Sequence, residues 1–199
     1  MDIPKIITEE LGIKLNQTQA VIKLYDEGCT IPFIARYRKE EHGSLDDEQL
    51  RKLEERLLYL RNLQDRKDTV IASIEEQGKM TDELRAQIDK AMTLVEVEDL
   101  YRPYKQKKKT RAIIAKEKGL GPLADAIYAQ DLKEPVENLA KEYIDEEKGV
   151  TTVEEAIQGA MDIIAEMISD EPEYRKWIRT YLIKNAFIKT IIKEKDEEE

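Results

Sequence analysis

The side chains best equipped for chemistry in this chain are cations, and they cluster. Between Arg102 and Lys118 stand Lys105, Lys107, Lys108, Lys109, Arg111 and Lys116, with Glu117 the only acid among them. Tyr101 and Tyr104 come just before the run. Cations gathered this way gain affinity for phosphates by releasing the counterions condensed along a nucleic acid, and tyrosine rings can stack on exposed bases. A shorter cluster, Arg36-Tyr37-Arg38-Lys39, repeats the combination. Arg36, Arg38, Lys39, Lys105, Lys107, Lys108, Lys109 and Arg111 are therefore candidate phosphate contacts, and Tyr101 and Tyr104 candidate stacking surfaces, for DNA or RNA held weakly and without sequence reading. A second reading stays open: the longer run is a solvated loop, or it pairs with acidic residues of the C-terminal half.

Catalytic constellations are harder to find. The one histidine, His42, sits beside Gly43 in polar sequence and is expected at the surface rather than as a base or ligand. Cys29 precedes a Thr-Ile-Pro helix entry and is expected to pack rather than to act as a nucleophile. Glu96, Glu98 and Asp99 gather near a helix end, but no second carboxylate group complements them for a metal. No glycine-rich loop follows a strand. The expectation is a protein that is not an enzyme and carries no cofactor; a hydrolase of nucleic acid lacks its carboxylates and histidines.

The elements that must position these cations are helices. Ala, Leu, Glu, Lys and Gln, which lose little rotamer freedom in a helix, fill a chain of 199 residues broken by only 8 Gly and 6 Pro. The fold class expected is all-α, a multi-helix bundle. A formal net charge of -10 excludes whole-surface attraction to nucleic acid or anionic membrane and leaves only local patches. No apolar run approaches the ~20 residues that span a bilayer. The opening Met1-Asp2-Ile3-Pro4-Lys5 lacks the basic-then-apolar order of a signal peptide, and a lone cysteine suits a reducing compartment. A cytoplasmic location with no membrane partner is expected.

Capping signals divide the chain. Pro4 opens a first short helix and Asn16 caps a second, which Gly28 stops; Pro32 enters one or two turns carrying Phe33, Ile34 and Tyr37, apolar enough to anchor a core. Ser44-Leu45-Asp46-Asp47 caps the longest helix, about 46–76, on which Leu50, Leu53, Leu57, Leu60, Ile71 and Ile74 share a heptad stripe. Gln64 and Lys67 interrupt that stripe, so an internal partner is favoured over a coiled coil. Thr81, Thr93, Thr110 and Thr152 open further helices, and Pro122, Pro135 and Pro172 begin others, giving about nine in all. Gly119, between helices starting at Thr110 and Pro122, suggests a helix-turn-helix-like pair near 110–130. Its second helix has no Arg or Lys with which to read bases, so the pair is taken as structural. Residues 1–130 form one region, 131–192 its helical continuation, and 193–199 an acidic tail expected to fray.

Several stretches, taken in order, resemble the N-terminal region of the Tex family of bacterial transcription accessory proteins. They are GCTIPFIARYRKE from Gly28 to Glu40, LDDEQLR from Leu45 to Arg51, EDLYRPYK from Glu98 to Lys105, KTRA from Lys109 to Ala112 and GLGPLA from Gly119 to Ala124. The resemblance thins after about residue 130. It implies a segment of a much longer protein, similar to the core of a eukaryotic transcription elongation factor. Such a protein carries a nuclease-like but inactive domain, helix-hairpin-helix elements and a C-terminal S1 domain credited with nucleic-acid binding. None of those later parts lies within this chain. The family pattern has Pro and Arg where this chain has Gln106 and Lys108, and Leu where it has Arg102. Charge is thus kept at Lys108, but the bidentate geometry of arginine is not. The partners so implied are nucleic acid, the remaining domains of a full-length chain and the transcription machinery. A docking module that touches no nucleic acid is the alternative.

Overall fold

The computed structural model describes residues 1–190, and the tail at 193–199 lies outside the described residues. Among them are eleven α-helices: α1 (Ile3–Leu11), α2 (Leu15–Asp26), α3 (Ile31–Tyr37), α4 (Asp47–Glu76), α5 (Asp82–Lys90), α6 (Leu94–Tyr101), α7 (Arg111–Glu117), α8 (Gly121–Ala129), α9 (Val136–Ala140), α10 (Val153–Asp170) and α11 (Pro172–Asn185). No strand occurs among the described residues, only an isolated pairing of Asp145 with Val150. The fold is all-α, as its composition requires. No helix of the described residues is long and apolar enough to cross a membrane. The chain divides into two units, Met1–Tyr101 and the residues from Arg102 onward.

In the first unit α4 is the spine. Asp46 caps it, accepting from the Gln49 N–H at 2.7 Å, while Gln49 Oε1 accepts from the Asp46 N–H at 3.1 Å. This reciprocal pair satisfies donors that a helix start leaves open. The buried row runs Leu50, Leu53, Leu57, Leu60, Leu63, Lys67, Val70, Ile71 and Ile74. Leu63 takes the place that a strict heptad would give Gln64, because 3.6 residues per turn drift against a repeat of seven. Lys67 keeps its place in the row. It is 1% exposed, and its Nζ donates to the Asp89 carbonyl at 2.7 Å. That carbonyl belongs to the last turn of α5, whose open acceptors favour a cation. Desolvation lowers the Lys67 pKa, opposed by the charges of Asp89, Glu96 and Asp68. α1, α3, α5 and α6 pack along α4, so its partners are internal.

Two local expectations need correction. The second helix begins at Leu15 with Lys14 as its cap residue, so Asn16 lies in the first turn; the open Lys14 N–H donates to Gln17 Oε1 at 3.0 Å. His42, expected at the surface, is fully buried. The Gln17 amide donates to the carbonyls of His42 and Gly43, both at 3.1 Å, and His42 Nδ1 accepts from the Leu45 N–H at 3.1 Å. A polar turn has become an internal staple between α2 and the start of α4.

In the second unit α10 packs on α7, α8 and α9. Thr110 caps α7 by accepting from the Ile113 N–H at 3.1 Å, and Gly119 turns the chain into α8 at φ +87°, a conformation that side chains disfavour. α7 and α8 are thus joined by a tight turn. α8 turns Leu123 and Ala124 into a core shared with Ala112, Ala115, Leu120, Ala156 and Ala160. Such small residues let helices approach closely, and Gly159 carries this furthest. A Cβ built on Gly159 would stand 2.3 Å from Leu120 Cδ1 and 3.3 Å from the Ala115 Cβ. The Lys118 Nζ donates to the Gly149 carbonyl at 2.6 Å, fastening the turn to the loop before α10.

Candidate nucleic-acid interface

Residues 105–110 follow a 3-10 turn, Arg102–Tyr104, and precede α7. Pro103 supplies no N–H to extend a helix and Thr110 starts the next one, so the cations between them lie on an irregular connection. Across from it α10 presents Asp162, Glu166 and Asp170, four residues apart and hence on one helix face. Arg102 Nε donates to Asp170 Oδ1 at 3.1 Å, and Thr110 Oγ1 to Glu166 Oε1 at 2.9 Å. Lys107 reaches both acids, pairing with Asp170 and lying 3.4 Å from Glu166 Oε1. All three of these side chains are less than a quarter exposed. Between connection and helix runs an open groove of about 560 Å³, lined by Arg102, Lys105, Lys107, Lys108, Arg111 and the three acids, among others.

The basic run therefore divides. Lys107 is neutralised inward. Lys109 pairs with Glu117 at 3.3 Å, but both side chains are more than half exposed, and such pairs hold weakly. Lys105, Lys108 and Arg111 line the groove, and their side chains make no ion pair or hydrogen bond among the described residues. Three cations so placed along one groove can attract an anion with repeated negative charge. No group of His, Cys, Asp and Glu among the described residues could hold a metal ion.

The aromatic candidates do not join this groove as a pair. Tyr101 belongs to the first unit, where its hydroxyl meets Ser73 Oγ at 3.1 Å and the Arg66 guanidinium lies 5.4 Å from its ring centroid. Tyr104 closes the 3-10 turn and is half-buried. The acids near Tyr101 also have structural work: Glu96 accepts from the Met92 and Thr93 N–H groups at the start of α6, and Glu98 pairs with Arg66 at 2.5 Å. Cys29 is half-buried and unbonded to any other cysteine.

The shorter cluster lies on and just after α3. Arg36 and Lys39 are exposed, whereas Arg38 lies over the Phe33 ring at 5.3 Å and pairs with Glu41 at 3.3 Å. Phe33 and Tyr37, expected to anchor the core with Ile34, do not. Ile34 is fully buried, but Phe33 is 39% exposed and Tyr37 60%. Sequence reasoning also missed Arg51. It joins Arg36 and Lys39 around a cavity of about 280 Å³, together with Ile31, Pro32, Ala35 and Asp47. Its signal is subtle: Arg51, Arg56, Arg61 and Arg66 recur every five residues along α4, and among the described residues only Arg51 has no acid from another helix.

Two family models match the chain: the Tex-like protein N-terminal domain over residues 1–75 and the Tex central region over residues 131–199. The likeness thus continues beyond residue 130, where the sequence motifs thin. The transcriptional accessory protein Tex of Neisseria gonorrhoeae is 46% identical over 199 residues, 100% of this chain and 26% of that protein. The protein tex of Bordetella pertussis is 44% identical over 185 residues, 92% of this chain and 23% of its own length. The human S1 RNA-binding domain-containing protein 1 is 32% identical over 180 residues, 89% of this chain and 18% of that protein. The chain spans about a quarter of the length of the bacterial relatives it matches.

Proposed function

The chain belongs to the Tex family, and we propose that within such a transcription accessory protein it is a helical scaffold and an accessory, sequence-independent nucleic-acid-binding module. The observation that carries this reading is the division of charge in residues 105–111. Arg102 and Lys107 fix the connection to α10, which leaves Lys105, Lys108 and Arg111 unmatched on the groove rim, presented by a tethered backbone. Phosphates fit that rim, and nothing in α8 reads bases, because α8 carries neither Arg nor Lys. The relatives named for transcription, and one named for an RNA-binding S1 domain, fit the same reading. On this reading the segment works in the cytoplasm beside the remaining domains of a longer Tex-like chain and is not an enzyme.

Anisotropy of labelled single- and double-stranded DNA and RNA, titrated with the chain across a salt series, tests this. Binding should weaken steeply with salt. Changing Lys105, Lys108 and Arg111 to Ala should flatten the slope of log K against log salt by roughly 2 to 3, since each phosphate contact contributes about 0.7 to 0.9. A parent chain that binds none of the four ligands at low salt would sink the reading.

A docking module is the second reading, and α11 favours it. Trp177 (66% exposed), Ile183 (78%), Tyr181 and Leu182 stand uncovered on that helix among the described residues. Trp177 and Tyr181 stack with centroids 5.6 Å apart. Apolar side chains on this scale mark a surface that meets another protein surface. The domains of a longer Tex-like chain are its natural occupants, and on this second reading the segment touches no nucleic acid.

A further inference from the structure

α4 carries four arginines. Three have carboxylate partners from other helices: Arg56 with Glu10 at 2.6 Å, Arg61 with Asp26 at 2.8 Å and Arg66 with Glu98 at 2.5 Å. Arg51 departs from this pattern. It lines the 280 Å³ cavity with Arg36 and Lys39, and none of these three side chains makes an ion pair or hydrogen bond among the described residues. The one acid in the lining is Asp47, in the first turn of α4. Three positive charges against one negative, in a hollow large enough for a phosphate and its waters, make a site suited to an anion.

Beside this hollow stands an aromatic platform. At 100° per residue, Arg36 lies on the surface of α3 between Pro32 and Ala35, which line the cavity, and the pair Phe33 and Tyr37. The two rings meet at 5.2 Å with an interplanar angle of 47°. The Arg38 guanidinium lies over the Phe33 ring and pairs with Glu41. Tyr37, 60% exposed, is thereby braced from one side and open on the other. An exposed, buttressed ring beside unpaired cations is the combination that receives a backbone phosphate and its base together.

We propose that α3 and the start of α4 form a single-stranded nucleic-acid site, in which Arg36, Lys39 and Arg51 hold a phosphate and Tyr37 stacks on an unpaired base. A single strand is required because the faces of bases in a duplex are already covered by their neighbours. Contact is with backbone and base face, so the site takes any sequence. This extends the nucleic-acid reading to the other unit but stands on different residues, so either can fail alone.

The test uses the whole chain with labelled oligo-dT and oligo-U, and a DNA duplex of the same length. Tyr37→Ser should weaken both single strands by about tenfold, within the range of base–aromatic stacking, and leave the duplex unchanged. Tyr37→Phe should bind as the parent does. Arg36, Lys39 and Arg51 changed together to Ala should lower the single-strand salt slope by about 0.7, the share of the one phosphate they hold. All these side chains are exposed, and melting curves matching the parent will show that the variants fold. Photocrosslinking of bromouracil-containing strands should map to α3. The site is overturned if the α3 and Arg51 variants hold single strands as tightly as the parent, or if Tyr37→Ser weakens the duplex equally. It is also overturned if polyglutamate of equal charge displaces the strand from the parent and from Tyr37→Ser alike, which would mark an acidic polypeptide as the partner. Loss confined to the Lys105, Lys108 and Arg111 variant would overturn this site and keep the 105–111 reading. A parent chain that binds no single strand overturns this site, and one that binds no duplex either overturns both.

Discussion

The two units use charge and packing differently. In the first, a helix of 30 residues carries its arginines at regular intervals, and neighbouring helices meet three of them with carboxylates. Its core is built from large aliphatic side chains, among them Ile7, Leu53, Leu57 and Leu60. In the second, the cations crowd an irregular connection, and α10 answers with a row of acids that reaches Arg102 and Lys107 but leaves Lys105, Lys108 and Arg111 unmatched. Its core is largely alanine, with Gly159 at the tightest approach. The contrast teaches that density of positive charge in the sequence is a poor guide to function. On the proposed readings the groove and the α3–α4 hollow each carry three cations whose side chains make no ion pair among the described residues, so the sparse first unit is as worth testing as the crowded second.

The difference between the cores can be broken most forcefully in the first unit. Leu60→Ala removes a fully buried side chain from the α4 row and should cost roughly 2 to 5 kcal/mol, read from urea unfolding. The second unit should be more sensitive to addition. Gly159→Leu must displace Leu120 and crowd Ala115, and is expected to cost about 1 to 3 kcal/mol, with exchange of the α7 and α10 amides accelerated. Gly159→Ala should be milder, because a gain in helix propensity of up to about 1 kcal/mol offsets its clash.

Lys67 sharpens the contrast through pH. Its pKa is lowered by burial, so between that value and the ordinary one near 10.4 the unfolded chain binds a proton that the folded chain does not. Stability must therefore rise with pH across that window. Lys67→Met fills similar space without a titrating group. The stability of the parent relative to Lys67→Met should climb as pH is raised towards 10.4, and a difference that stays flat would show that the amine is not desolvated. The smallest effect belongs to the exposed pairs of α4: Arg61→Ala should cost less than about 1 kcal/mol.

Helix starts were legible because capping is local. Asp46, Thr81, Thr110 and Thr152 each accept an N–H three residues on, a pattern visible in any window of four residues. The turn at Gly119 could be read for the same reason, since it needs a residue tolerant of positive φ. Burial of His42 could not be read, because the Gln17 amide that covers the turn comes from 25 residues earlier. Exposure of Phe33 and Tyr37 was equally hidden: their spacing suits a buried face, and only the packing of Ile31 and Ile34 decides which side of α3 turns inward. The basic run was plain in the sequence. Its division into latched and unmatched residues depends on α10, some 60 residues later, and Arg51 entered only when α3 placed Arg36 and Lys39 beside it.

The most direct measurement compares two neighbouring lysines. Lys107→Ala and Lys108→Ala remove the same charge one residue apart, from a side chain held by Glu166 and Asp170 and from one on the open rim. In anisotropy titrations against a single-stranded oligonucleotide across a salt series, Lys108→Ala should lower the slope of log K against log salt by about 0.7, and Lys107→Ala by much less. Equal losses in the two variants, or a larger loss for Lys107→Ala, would contradict the assignment of the rim cations as the phosphate contacts.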